Sequence, residues 1–221
     1  KTSILATLSF FQNSSMEKVY FEGIDKISPD DIDYGKQLNF VLKPLSVGMQ
    51  NKDQISLGSF PAFVKTDSLL ASIQNENNAV LVNAENVGGT MYSGPGAGAK
   101  PTANSVLSDV IDIARGKIFD YGKFVEQNLS SSFDSFSCDR YLKLQVNDKP
   151  GVVAKISTLL ANNNLSIDNL IQKELERSDD QIPLVMVLSN SDETTIQDTI
   201  KELEALDEVS GPLTHIRILD I

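Results

Sequence analysis

The sequence predicts an α+β protein in two units, and three observations carry that prediction. Residues 141–220 run through strand-like and helix-like patterns in the order β-α-β-β-α-β. Residues 1–115 mix helical stripes with strand-like runs punctuated by proline and glycine. Between them, residues 116–140 hold Gly116, Gly122 and the run Ser130-Ser131-Ser132, with weak periodicity, and read as a linker.

In the first unit, Ile4, Leu5, Leu8, Phe10 and Phe11 form an amphipathic stripe at the very start, which reads as a chain cut from a longer one. Ser28-Pro29-Asp30-Asp31 is a helix start: a capping hydroxyl, a proline tolerated at the first position, and carboxylates at the positive end of the dipole. A strand over Phe40–Val47 is interrupted by Pro44, which predicts a sheet edge or a bulge. Ile55 and Leu57 alternate in the next strand, and Ala79–Val82 is a short apolar one. The glycine-rich stretch Gly88–Gly98 then leads into a helix with Val106, Val110 and Ile113 on one face and Leu107, Ile111 and Ala114 on another. Apolar on two faces, that helix is expected to be largely buried.

The second unit is more regular. Leu142, Leu144 and Val146 make a strand, and Asn147-Asp148-Lys149-Pro150-Gly151 a turn. Val152, Val153, Ile156, Leu159 and Leu160 form a helix ending at Asn162-Asn163-Asn164. Strands over Leu165–Leu175 and Leu184–Leu188 flank a polar turn, Asn190 with Glu193 caps a second helix, and Leu213–Leu219 closes as a strand. The order is the ferredoxin-like plan, an antiparallel sheet with two helices on one face.

Composition excludes several classes. Nineteen Lys and Arg against 30 Asp and Glu leave a net charge of −11, the wrong sign for a nucleic-acid groove or an anionic membrane surface. No apolar run approaches the ~20 residues of a membrane span, so an intracellular, cytoplasmic protein is expected. One cysteine, Cys138, rules out an internal disulfide, and one histidine, His215, rules out a poly-imidazole metal centre, so no metal site is expected.

Two stretches are candidate sites. Gly94, Gly96 and Gly98 precede a helix and so suit either an anion cradled by backbone amides or a tight strand-to-helix turn. The spacing matches neither a P-loop nor the dinucleotide fingerprint. The turn at Asn147, Asp148, Gly151 and Val152 suits either the carboxylate of a free amino acid or an ordinary β-α connection. His215 is expected at solvent or an interface, and Cys138 as a free thiol.

Four ordered segments resemble one family. Gly94-Pro95-Gly96-Ala97-Gly98 with Pro101-Thr102-Ala103, Val106, Asp109 and Ile113-Ala114 is similar to the GPGAG-x-x-PTA segment of homoserine dehydrogenases. Val19–Ile24 with Ile27–Ile32, and Asn78-Ala79-Val80 with Val87–Met91, resemble further stretches of that family. Asp148–Val152 with Ile171-Gln172-Lys173 looks like the ACT domain appended to bacterial members. Pro44, Leu57–Val64 and Tyr92-Ser93 depart from the usual pattern.

The resemblance implies a mixed-sheet substrate and dimerisation domain at 1–115, a linker, and an ACT regulatory domain at 141–220. Lys1-x-x-Ile4-Leu5-Ala6 is similar to the helix that opens on the family's catalytic lysine, which makes Lys1 the general acid/base. It further implies NADP or NAD as cofactor, held mainly by an N-terminal half outside these residues and approached by Gly94, Gly96 and Gly98. L-Homoserine and aspartate semialdehyde are the implied substrates, L-threonine the implied effector at Asn147, Asp148, Gly151 and Val152, and a homo-oligomer the assembly. The rival expectation is a free-standing amino-acid sensor without catalysis.

Overall fold

The computed structural model describes residues 1–12, 14–117, 130–172 and 181–221. Helix α1 (Thr2–Phe10) lies against the edge of a sheet, where Ala6 packs on Ile55 and Leu57. The short strand β1 (Tyr20–Phe21) is followed by α2 (Pro29–Gln37), which starts as expected: the Asp31 carboxylate accepts from the Ser28 amide at 2.8 Å. Strands β2 (Phe40–Asn51) and β3 (Gln54–Lys65) form a long antiparallel hairpin.

Pro44 does not interrupt β2, which runs through it, but it does mark the edge, because β2 pairs with β3 alone. Pro44 sits directly opposite Pro61. Two residues lacking N–H can face each other only at a non-hydrogen-bonded pair. Pro61 then falls between the part of β3 that pairs with β1 (Gly58, Ser59) and the part beginning at Ala62 that pairs elsewhere.

The glycine-rich stretch is more ordered than a loop. Strands β4 (Asn77–Ala84) and β5 (Gly88–Pro95) make a separate two-stranded sheet in which Gly94 pairs with Asn78. Only residues 96–98 remain to turn into α3 (Ala99–Ala114), with Gly98 as its N-cap at φ 123°. The expected burial of α3 is not found. It has no buried residue, and Val106, Val110 and Ile113 are 58%, 55% and 74% exposed. No substantial packing ties α3 or the β4–β5 sheet to the rest of the described residues. The apolar faces are present, but no element packs on them here.

Residues 130–140, expected within a linker, are built into the sheet. Strand β6 (Ser130–Ser131) pairs with β3, β7 (Ser137–Asn147) begins before residue 141, and Phe133 and Phe136 are buried against Phe60. Aromatic side chains at two positions of a serine-rich run overrode its polar composition. Residues 118–129 of the expected linker lie outside the described residues.

The ferredoxin-like order follows as β7, α4 (Val152–Asn162), β8 (Ile167–Gln172), β9 (Gln181–Asp192), α5 (Glu193–Glu204) and β10 (Val209–Leu219). The cap of α5 is Asp192, whose carboxylate accepts from the Thr195 amide at 2.9 Å, rather than Asn190. Residues 173–175 of the strand expected over Leu165–Leu175 lie outside the described residues. Both units share one sheet, of order β1-β3-β10-β7-β9-β8 with β2 and β6 also on β3. The join is parallel, Arg217–Leu219 alongside Ala62–Val64. One face of the second unit is covered by α4 and α5 through Ile156, Leu160, Ile196 and Leu203. The other is met by Tyr34 of α2 and Phe63 of β3, packed on Tyr141, Val185 and Ile216. None of the helices is long and apolar enough to cross a membrane, among the described residues.

Candidate functional site

The expected site residues fall on three separate parts of the molecule. Lys1 is exposed at the N-cap of α1, where its carbonyl accepts from the Leu5 amide at 3.0 Å. The first turn of the helix therefore projects its side chain outward from a helix anchored on β3 by Ala6.

The glycine turn sits at the head of α3. A Cβ at Gly94 would meet nothing within 4 Å, whereas one at Gly96 would run into the Asn78 side chain at 1.9 Å. Gly96 thus lies close against the exposed Asn78 side chain of β4, which would have to swing aside for a Cβ, and its amide bonds the Glu76 carbonyl at 2.7 Å. Gly98 is required by its positive φ. Gly94 has neither constraint: its backbone is paired with Asn78 in the ladder, and open space lies where a side chain would project. Pro101 has no amide, so the donors free at the helix head are those of its first two residues. This fits one end of an elongated anionic cofactor, not the whole of it.

The turn at 147–152 stands at the end of β7. Gly151 takes φ 92° and is exposed, as is Asp148. Asn147 spends its amide on Glu208 and its carbonyl on the Lys149 amide, both at 2.9 Å. Val152 is committed twice: its side chain is in the core beside Ile156 and its amide bonds the Lys149 carbonyl. It therefore offers an effector neither group, and Asp148 and Gly151 are what remains exposed.

A fourth constellation, between the units, had no counterpart in the sequence reading. Arg217 of β10 donates to Glu22 at 2.6 Å and grips Glu193 through Nε at 3.1 Å and through Nη2. Glu193 also accepts from Arg140 at 2.9 Å, and Arg140 is further held by the carbonyls of Ser191 and Phe136. Both arginines are fully buried and Glu193 is 5% exposed. The Arg217 guanidinium is 4.7 and 4.6 Å from the ring centres of Tyr20 and Phe60. Burial works to raise the Glu193 carboxyl, but hydrogen bonds and charge from Arg217, with the charge of Arg140, hold it below the usual carboxylate range. A second junction joins Asp31 of α2 to Tyr141 at 3.0 Å and Lys143 at 2.8 Å. The available signal was Arg217 between Ile216 and Ile218 of the closing strand, since buried guanidinium demands a partner.

Comparison with known proteins decides the family. A profile of homoserine dehydrogenases matches residues 1–111, and one of the ACT domain matches residues 140–208. The chain belongs to the homoserine dehydrogenase family. Homoserine dehydrogenases of Pseudomonas aeruginosa and Bacillus subtilis are 35% identical over 229 residues and 31% over 225, each aligned with 99% of this chain. A solved homoserine dehydrogenase from Thiobacillus denitrificans superposes with TM-score 0.89 at 29% identity, over all of this chain and 52% of that one. The S. aureus enzyme, at 21% identity and TM-score 0.67, shares the fold. The chain spans about half the length of the curated relatives it matches. The buried junction places Arg217 of β10, the strand that follows the ACT-profile match, against Glu22 of the segment that matches the dehydrogenase profile.

Proposed function

We propose that this chain is the C-terminal part of an NAD(P)-dependent homoserine dehydrogenase interconverting aspartate semialdehyde and L-homoserine, on the route to threonine and methionine. The observation that carries the reading is the Gly94–Gly98 turn at the head of α3, whose apolar faces are exposed among the described residues. A free-standing amino-acid sensor has no use for such a turn. An enzyme whose other half supplies a nucleotide-binding surface does, and residues 1–115 then form the substrate and dimerisation part.

A nicotinamide cofactor, NADP or NAD, supplies or accepts the hydride when bound. Gly94, Gly96 and Gly98 are proposed to meet one end of it with backbone. Lys1 handles the proton: its ammonium donates to the substrate carbonyl oxygen in reduction and the amine recovers that proton from the hydroxyl in oxidation. Residues 141–220 are proposed as an ACT regulatory domain responding to L-threonine, with Asp148 and Gly151 as its accessible contacts. In this sheet β10 is already occupied by β3, so among the described residues the free edge of the ferredoxin-like unit, available for pairing two copies, is β8. The location proposed is the cytoplasm.

The test is homoserine oxidation by a protein that carries these residues behind a nucleotide-binding half. Lys1→Met is expected to lower kcat by at least about a hundredfold, the usual range for losing a general acid/base. The 221-residue chain alone is expected to be inactive. Turnover proportional to the concentration of this chain, or full activity in the Lys1 variant, would overturn the assignment.

A further inference from the structure

We infer that the cleft between the Tyr20–Lys26 segment and α5 binds a small carboxylate-bearing molecule of amino-acid size. Its cavity of about 480 Å³ lies in the range of small-molecule sites. Glu22, Gly23 and Lys26 form one wall, Lys201 and Glu204 of α5 the other, and His215 of β10 contributes from the sheet. The walls thus come from both units.

The polar groups here are unevenly provided for. His215 Nε2 is shielded from solvent and has no hydrogen-bond partner among the described residues. A buried polar atom left unpaired is costly, so a partner is called for. The charges acting on the ring, Arg217, Arg140 and Lys26, are all donors without an acceptor. The carboxylates of the cleft are engaged elsewhere: Glu22 with Arg217 and Tyr20, Glu204 with the Leu213 amide. Lys26 is exposed and forms no hydrogen bond or ion pair among the described residues. With the neutral imidazole in its Nε2–H tautomer, a carboxylate meets both needs together, an acceptor for that N–H and a counter-charge for Lys26. Glu204, on the opposite wall, gives Oε1 to the Leu213 amide and keeps its second oxygen for an ammonium on the same molecule. Because the cleft borders the Glu22–Arg217 pair, its occupant bears on the junction between the units.

This site is distinct from the 147–152 turn and does not depend on it. His215 is the one histidine of the chain, so isotope-labelled histidine gives a single imidazole signal. Titration with L-threonine and, separately, with succinate is expected to move that signal saturably. Lys26→Met, at an exposed position, is expected to weaken the effect at least about tenfold, while Gly151→Val leaves it unchanged. A response to threonine alone supports an amino acid whose ammonium meets Glu204; a response to both supports recognition of the carboxylate. An imidazole signal unmoved by either compound up to about 20 mM, far weaker than a functional site, overturns the inference, as does an unchanged response in Lys26→Met. Threonine heat that is lost in Gly151→Val, with the imidazole unmoved, overturns it while sustaining the effector reading of the turn.

Discussion

Replacing Glu193 with Gln removes the carboxylate shared by two fully buried guanidiniums. Arg217 keeps Glu22, whereas Arg140 keeps only Ser191 and the Phe136 carbonyl. Breaking a buried ion pair by removing one partner costs about 3–5 kcal/mol, and an isosteric amide that still accepts a hydrogen bond belongs at the lower end, about 3 kcal/mol. With a urea dependence of about 2–3 kcal/mol/M, the unfolding midpoint drops by roughly 1–1.5 M. The chain has no tryptophan, so far-UV circular dichroism is the suitable readout. The effect also has a signed pH dependence. Glu193 is held below its ordinary value of 4.5, so its contribution is present above pH 4.5 and is lost as pH falls through the lower folded value. The gap between wild type and E193Q is therefore wide at pH 7 and narrows below pH 4.5. A midpoint shift under about 0.3 M at pH 7, or a gap that stays constant into acid, would refute the reasoning.

Three further perturbations probe other parts of the structure. Gly58→Ala brings a Cβ to 2.4 Å from Phe60 and 2.7 Å from Phe133, both buried. It is expected to destabilise by about 1–3 kcal/mol as an overpacked core site, and a thermal midpoint equal to wild type would contradict the aromatic packing. Asp31→Asn is expected to cost about 2–3 kcal/mol, since buried Asp31 serves Ser28, Tyr141 and Lys143 together; an unchanged urea midpoint would mean that this junction is not formed. Burial pushes the Cys138 thiol up to about 11, despite the opposing charges of Arg140 and Arg217. Ellman's reagent at pH 8 is accordingly expected to modify it only as fast as the chain unfolds, and prompt reaction in native buffer would contradict its burial.

Local pattern was enough for most individual elements. The start of α2 was legible because Ser28, Pro29 and Asp31 each act within one turn of the chain. Likewise β7 and α4 followed from periods of 2 and 3.6, and β9 from the unbroken apolar run Leu184–Leu188, which is buried on both faces. The glycine turn was legible as a turn, but the strand leading into it was not, because pairing of Gly88–Pro95 with Asn77–Ala84 is a cross-strand property and glycine is a poor local signal for strand. Burial of α3 was misjudged for a related reason. Apolar faces record that a helix is built to be covered, and which element covers it is not encoded in the helix itself.

Among the candidate sites, Gly96 and Gly98 were flagged by residue type, and the structure supplied separate reasons for them, a close approach and a positive φ. For Val152 the residue type was ambiguous, because an apolar residue one step past a turn glycine reads alike whether its side chain faces a ligand or the core, and here it faces the core. His215 and Arg217 were the opposite case, a histidine and an arginine on an outwardly ordinary strand that meet Lys26 and Glu22 from nearly two hundred residues earlier.

By itself, then, the sequence determined the family, the α+β class, the ferredoxin-like order and the start of α2, all of which arise from contacts within a few residues or from ordered motifs. Tertiary structure alone decided that β10 lies parallel to β3, so that both units share a sheet, and that Arg140, Glu193, Arg217 and Glu22 converge at the join. The physical reason is that backbone pairing and buried charge compensation are satisfied by whichever partner the fold brings within about 3 Å, whatever its distance along the chain.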